Sequence, residues 1–231
     1  MTRIHLLSGG AAKGLVTQIE PRLLAQTGDT IEGVYGAVGL MKDRLLAGAP
    51  CDVLILTAAL IERLITSGDV AADSAHALGR VRTGVAVKSG EPVPRVDSSA
   101  ALKAALLAAS GIYIPDPVKS TAGIHFANVL RQLGIEFEVS SRLHVFPNGA
   151  TAMHEMSSSP DNGLVGCTQV TEILYTQGVQ LVATLPAEFE LATVYTAAIC
   201  SRAQQTQAAA ALIRLLTGPD AAVLRHSGGF E

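Results

Sequence analysis

Residues 4–11 read Ile4-His5-Leu6-Leu7-Ser8-Gly9-Gly10-Ala11, and they open a helical stretch that runs to about Gln26. Four apolar-rich residues followed by Ser8-Gly9-Gly10 are too few for a helix and read as a buried strand. The same unit recurs twice. Glu32–Tyr35 reads as a strand, Gly36–Gly39 as its turn and 40–47 as a helix; Asp52–Leu56 is then a strand and Ala58–Ser67 a helix. Three strand–helix repeats at this spacing predict right-handed crossovers and a mainly parallel sheet.

Beyond residue 82 the pattern starts again with different content. Thr83–Lys88 reads as a strand that runs into the breaker Ser89-Gly90-Glu91-Pro92. Ser98 or Ser99 can cap a helix over 100–109. Gly111–Ile114 is a strand, and Thr121–Leu133 is a helix closed by Gly134. His144–Phe146, Gly163–Gly166 and Gln180–Leu185 are further strands, with a helix between the first two. Thr193–Cys200 is a long apolar strand, followed by a helix over 203–216 and a stop at Gly218-Pro219. The expectation is an α/β protein of two lobes, residues 1–82 with 192–231 and residues 83–191. Two crossing strands near 80–84 and 191–194 would form a hinge beside a central cleft.

Composition narrows the class. The 231 residues are 48% hydrophobic and 16% charged, which excludes a disordered chain. Aromatics make up 4% and Trp is absent, a profile suited to helices packed on Val- and Ile-rich strands. Seventeen basic against twenty acidic residues give a net charge of −3, and no basic run occurs, so nucleic-acid binding is not expected. No apolar run approaches the roughly 20 residues of a membrane helix, so membrane insertion is not expected either. No basic segment followed by an apolar stretch and a cleavage site begins the chain. That argues for the cytoplasm if Met1 is the native start, and against delivery to a transporter partner; removal of a signal peptide would place the chain in the periplasm. Cys51, Cys167 and Cys200 are odd in number, lack a CxxC and sit in apolar runs, so they read as buried thiols. The histidines show no HxxxH or HExxH spacing, so neither a metal nor another cofactor is expected.

Three small-residue segments open helices: Ser8-Gly9-Gly10-Ala11, Gly36-Ala37-Val38-Gly39 and Ser120-Thr121-Ala122-Gly123. Helix N-termini offer free N–H groups and the positive end of a dipole, and small residues let an anion approach. Lys13 is followed by Gly14, so no P-loop is present, and Gly33, Gly36 and Gly39 run GxxGxxG. No GxSxG elbow occurs. Candidate ligand-binding residues are Ser8, Gly9, Gly10, Lys13, Val38, Gly39, Thr57, Lys119, Ser120, Thr121, Cys167 and Gln169. Lys13 stands where a cation opposes the helix dipole, which suits pairing with a bound carboxylate or a solvated surface position. Thr57 follows its strand directly, where ligands of parallel sheets collect. His154 and His125 are candidates for proton transfer or for structural roles, and Cys167 for a nucleophile or a core thiol.

These segments resemble the molybdate-binding-protein family of type II periplasmic solute-binding proteins. The resemblance rests on Leu7–Ala11, Gly36–Gly39, Ala47–Leu56, Asp116-Pro117, Ala122–Ala127, Leu133-Gly134 and Gly229-Phe230. It implies two α/β lobes joined by two crossing strands, with a small anion as ligand in the cleft. Ser8 matches a ligand-binding Ser of that family. Val38 and Gly39 stand where a second Ser is expected, and Gly166-Cys167 where a Tyr is, so molybdate is expected to bind poorly. Ser8–Gly14, Gln169–Leu174 and Leu185–Glu188 are similar to the side branch that includes aconitate isomerase. Two functions follow as expectations: a solute-binding-type protein for a small anion, in particular a di- or tricarboxylate, or a cytoplasmic isomerase of an unsaturated carboxylate. For the second, Lys13 and Lys119 would supply charge, and His154 or His125 the base.

Overall fold

A computed structural model describes residues 2–231. The chain forms two compact units, Met1–Val81 with Thr193–Glu231, and Arg82–Ala192.

In unit 1, β1 (Arg3–Gly9) leads through a 3-10 turn into α1 (Lys13–Thr27); β2 (Thr30–Gly36) leads into α2 (Val38–Leu46), and β3 (Val53–Thr57) into α3 (Ala58–Thr66). β1 pairs in parallel with β2 and β3 on either side. All five residues of β3 are buried, as expected of a parallel strand covered on both faces. Its Leu54, Ile55 and Leu56 have no solvent exposure, each contributing about 1.5–3 kcal/mol of apolar burial. α1 carries Pro21 in its interior and ends at Gly28, whose φ of 75° makes the left-handed cap that glycine adopts without strain.

The long strand β4 (His76–Lys88) carries the chain out of unit 1 at Val81 and into unit 2 at Arg82. The sequence reading began this strand at Thr83. Its first half was missed because His76, Ala77, Gly79, Arg80 and Arg82 dilute the apolar signal. Unit 2 continues with α4 (Ser99–Ala108), β5 (Gly111–Pro115), α5 (Thr121–Gln132), the single turn α6 (Glu136–Val139), β6 (Leu143–Phe146), α7 (Gly149–Ser158), β7 (Leu164–Gln169), α8 (Val170–Tyr175) and β8 (Val179–Thr184). Ser98 caps α4 and Ser120 caps α5, each accepting from the N–H three residues on. The chain returns to unit 1 in β9 (Ala192–Ile199) and closes with α9 (Thr206–Thr217) and α10 (Ala222–Ser227).

Each unit has a parallel centre of three strands, β2-β1-β3 in one and β7-β5-β6 in the other. The antiparallel strands are additions: β9 on β3 in unit 1, and β4 with β7 and β8 in unit 2. The expectation of a mainly parallel sheet therefore describes the centres but not these added strands. Hydrophobic pattern locates a strand; it does not encode the direction in which a partner arrives. No helix among the described residues is long and apolar enough to cross a membrane.

Candidate functional site

Parallel pairing brings the C-terminal ends of β1, β2 and β3 to one edge of unit 1, because Gly9 lies opposite Gly36 and Ser8 opposite Ile55. α1, α2 and α3 begin at that edge, so three helix N-termini gather there. Gly9 is required by packing: a Cβ on it would stand 2.8 Å from Val38 Cγ1 and 3.1 Å from Tyr195 Cε1. Val38 is thus a packing partner of Gly9, with Gly39 beside it half-buried. Thr57 is buried at the end of β3, opposite Tyr195 of β9, and precedes α3 without capping it through its side chain. Ser8 has no exposure, and its hydroxyl donates to the Gly9 carbonyl at 2.9 Å. Lys13 is the first residue of α1, and its ammonium lies 5.9 Å from the centroid of the Tyr35 ring. The attraction of a cation to the ring face offsets part of the dipole cost.

The corresponding edge of unit 2 gathers the ends of β5, β6 and β7 and the starts of α5, α7 and α8. Side chains on β7 alternate between two faces. Val165 and Cys167 join the core beneath α4 and α5, whereas Leu164 joins the cluster that includes Met153 and Met156 of α7. A Cβ on Gly166 would collide with Met153. Cys167 is therefore fully buried in the first of these cores, and burial pushes its thiol well above the usual range. The sequence reading ended β7 at Gly166 and so placed Cys167 past the strand, whereas the strand runs on through Gln169.

Gln169 and Thr83 face each other across the β4–β7 pair, so their side chains share a face of the sheet. Both are buried, as is Thr171 in the first turn of α8. Among the described residues six buried side-chain polar atoms lack a hydrogen-bond partner; four of them are Gln169 Nε2 and Oε1, Thr83 Oγ1 and Thr171 Oγ1. An unpaired buried polar group costs about 1–3 kcal/mol. They are concentrated at the end of β7, where four buried polar atoms are left unsatisfied within the protein. Sequence reasoning found Gln169 but not Thr83 or Thr171. Thr83 and Gln169, 86 residues apart, come together only through strand register, and Thr171 follows Gln169 by two residues.

On the opposite face, Glu172 is buried and accepts from Thr168 Oγ1 at 2.5 Å and from the backbone N–H groups of Gly149, Ala150 and Gln169. Desolvation outweighs these bonds and raises its carboxyl above the ordinary 4.5. The carboxylate ties the start of α7 to α8.

Ser120 is buried and Thr121 half-buried at the start of α5. Lys119 is exposed, and its backbone N–H donates to Asp116 Oδ1. His125, one turn into α5, bonds through Nε2 to the Phe189 carbonyl at 2.7 Å. His154 is exposed on α7, on the side away from the buried Met153 and Met156. No group of three or more His, Cys, Asp or Glu among the described residues could hold a metal ion.

The model of the family described as bacterial extracellular solute-binding protein matches residues 4–231. The chain belongs to that family. An aconitate isomerase from a Pseudomonas species is 27% identical over 242 residues, a match covering all of this chain and 88% of that protein. Among solved structures, the periplasmic molybdate-binding protein of Azotobacter vinelandii matches with a TM-score of 0.79 at 18% identity, over 99% of this chain and 98% of that one. The sulfate-binding protein SubI of Mycobacterium tuberculosis matches at 0.76 and 21%, over 100% of this chain and 86% of that one. These structures establish the α/β fold of type II periplasmic binding proteins for the chain.

Proposed function

We propose that the protein binds a small di- or tricarboxylate anion. The observation that carries this reading is the buried, unpartnered set of Gln169, Thr83 and Thr171. An amide N–H₂ and two hydroxyls are neutral donors, suited to an anion whose charge they stabilise without adding an opposite charge of their own. The N-terminus of α5, with the cap Ser120, lies on the same sheet face and contributes backbone N–H groups. The replacements at Val38, Gly39 and Cys167 remove the hydroxyls expected for molybdate, which favours a carboxylate.

A specific observation supports a second reading, in which binding is coupled to an allylic proton shift on an unsaturated carboxylate. The full-length likeness to an aconitate isomerase is one part of it. The other is His125: a ring whose Nε2–H donates to the Phe189 carbonyl has its lone pair on Nδ1, the arrangement of a base with its tautomer fixed. Removing a proton from the carbon next to the double bond spreads negative charge into the carboxylate, where the same neutral donors would stabilise it. His125 replaces His154 in this reading, because His154 is exposed on α7.

The test is a thermal-shift series with molybdate, sulfate, citrate and trans-aconitate, followed by proton NMR of trans-aconitate incubated with the protein. Stabilisation by the carboxylates supports the binding reading, and the appearance of cis-aconitate supports the isomerase. Stabilisation by molybdate or sulfate alone refutes both. Thr171→Val supplies the structural control. It should weaken carboxylate binding by about tenfold or more while leaving the ligand-free protein as stable as before or slightly more so.

A further inference from the structure

We infer that Cys51 and Cys200 are a redox-active pair that closes to a disulfide. Cys51 precedes β3 and Cys200 follows β9, two strands that pair antiparallel, and the Cys200 N–H donates to the Asp52 carbonyl at 3.1 Å. Strand pairing thus holds the two residues together from positions far apart in sequence. Their sulfurs lie 3.1 Å apart, within hydrogen-bond range, and Cys51 Sγ also donates to the Val53 carbonyl at 3.2 Å. A disulfide needs about 2.05 Å, so closure requires a shift of roughly 1 Å. Both residues line a cavity of about 430 Å³ in unit 1, together with His5, Asp52, Asp69 and Arg202. Small thiol reagents therefore have a route to them. Cys167, enclosed in the core of unit 2, has none and serves as an internal control.

Exposure orders the steps. Cys51, the less buried of the two, gives up the proton it donates to the Val53 carbonyl and attacks one sulfur of a small-molecule disulfide, forming a mixed disulfide; the leaving thiolate takes up a proton and departs as one thiol. Cys200 then loses its proton to solvent and attacks the Cys51 sulfur, releasing the second thiol. Two protein thiols are oxidised, one external disulfide is reduced to two thiols, and no other electron acceptor is needed. The bond to Cys51 and then burial hold the Cys200 thiol above its ordinary range, so the second step is expected to be the slow one.

The experiment is incubation of the folded full chain with oxidised glutathione, followed by denaturation, thiol counting, intact mass and non-reducing peptide mapping. The expected result is a fall from three thiols to one, loss of two hydrogens in mass, and a linked Cys51–Cys200 peptide pair with Cys167 free. Cys51→Ser should abolish the link and leave Cys200 and Cys167 reduced. Cys200→Ser should stop the reaction at a stable glutathione adduct on Cys51. In the unsubstituted chain, three thiols retained after oxidation, a glutathione adduct that never resolves, or a link through Cys167 would each overturn the inference.

Discussion

Replacing Gly149 with Ala tests whether the buried carboxylate of Glu172 fixes the start of α7. Gly149 is the first residue of that helix, where exchanging glycine for alanine by itself gains up to about 1 kcal/mol of chain entropy. The surroundings oppose it. A Cβ at Gly149 would overlap Thr168 Oγ1 and Glu172 Oε2 and stand 2.7 Å from Glu172 Cδ, whereas real Cβ contacts essentially never fall below 3.0 Å. Overpacking costs about 1–3 kcal/mol, and displacing a hydrogen bond to a charged group about 1.5–3 kcal/mol more. The net loss should be about 2–5 kcal/mol, read as a lower urea midpoint by circular dichroism at unchanged slope. In a Thr168→Ala, Glu172→Ala background the obstruction is gone, and the same substitution should cost almost nothing. A loss under about 0.5 kcal/mol in the original chain, or an equal loss in both backgrounds, would refute this account.

Glu172 also sets a pH dependence. Its folded carboxyl is raised above 4.5, so its favourable contribution is complete below that value and declines as pH rises through the raised one. Urea stability measured against pH should therefore show the original chain losing ground to Glu172→Gln above pH 4.5; parallel profiles would contradict it. Gly123→Ala should destabilise by about 2 kcal/mol or more, because its Cβ would overlap the Pro115 and Asp116 carbonyls under the first turn of α5, and a calorimetric melt would detect it. Lys13→Met should weaken binding of a tricarboxylate at least about tenfold in isothermal titration, with little change in the ligand-free melting temperature; equal affinity would remove Lys13 from the binding site.

Much of the fold was legible because its signals are local. Short apolar runs followed by small residues located β1, β3 and β5, and Ser98, Ser120 and Gly134 marked helix ends that the structure places within a residue or two. The family follows from the same segments. Strand partners were less legible, since β9 joins β3 in a direction that no local pattern encodes. The candidate site divides along the same line. Gln169 and the N-terminus of α5 lie where a motif ends, and both were found. Thr83 and Thr171 draw their significance from being buried without partners, a property of register and packing. The placement of Cys167 changed for a related reason: three further strand residues, Cys167, Thr168 and Gln169, turn a position beyond the strand into a core position.

The interrupted path of unit 1 has a consequence during synthesis. Val53 of β3 waits for Ile199 of β9, with the whole of unit 2 translated in between. At about 5–20 residues per second the wait is on the order of ten seconds. Throughout it, the five-residue apolar β3 presents an unpaired edge to other nascent chains. Unit 2, contiguous from Arg82 to Ala192, is fully translated before that edge closes. Unit 2 is thus complete in sequence before unit 1 is, and the edge of β3 closes only when β9 emerges.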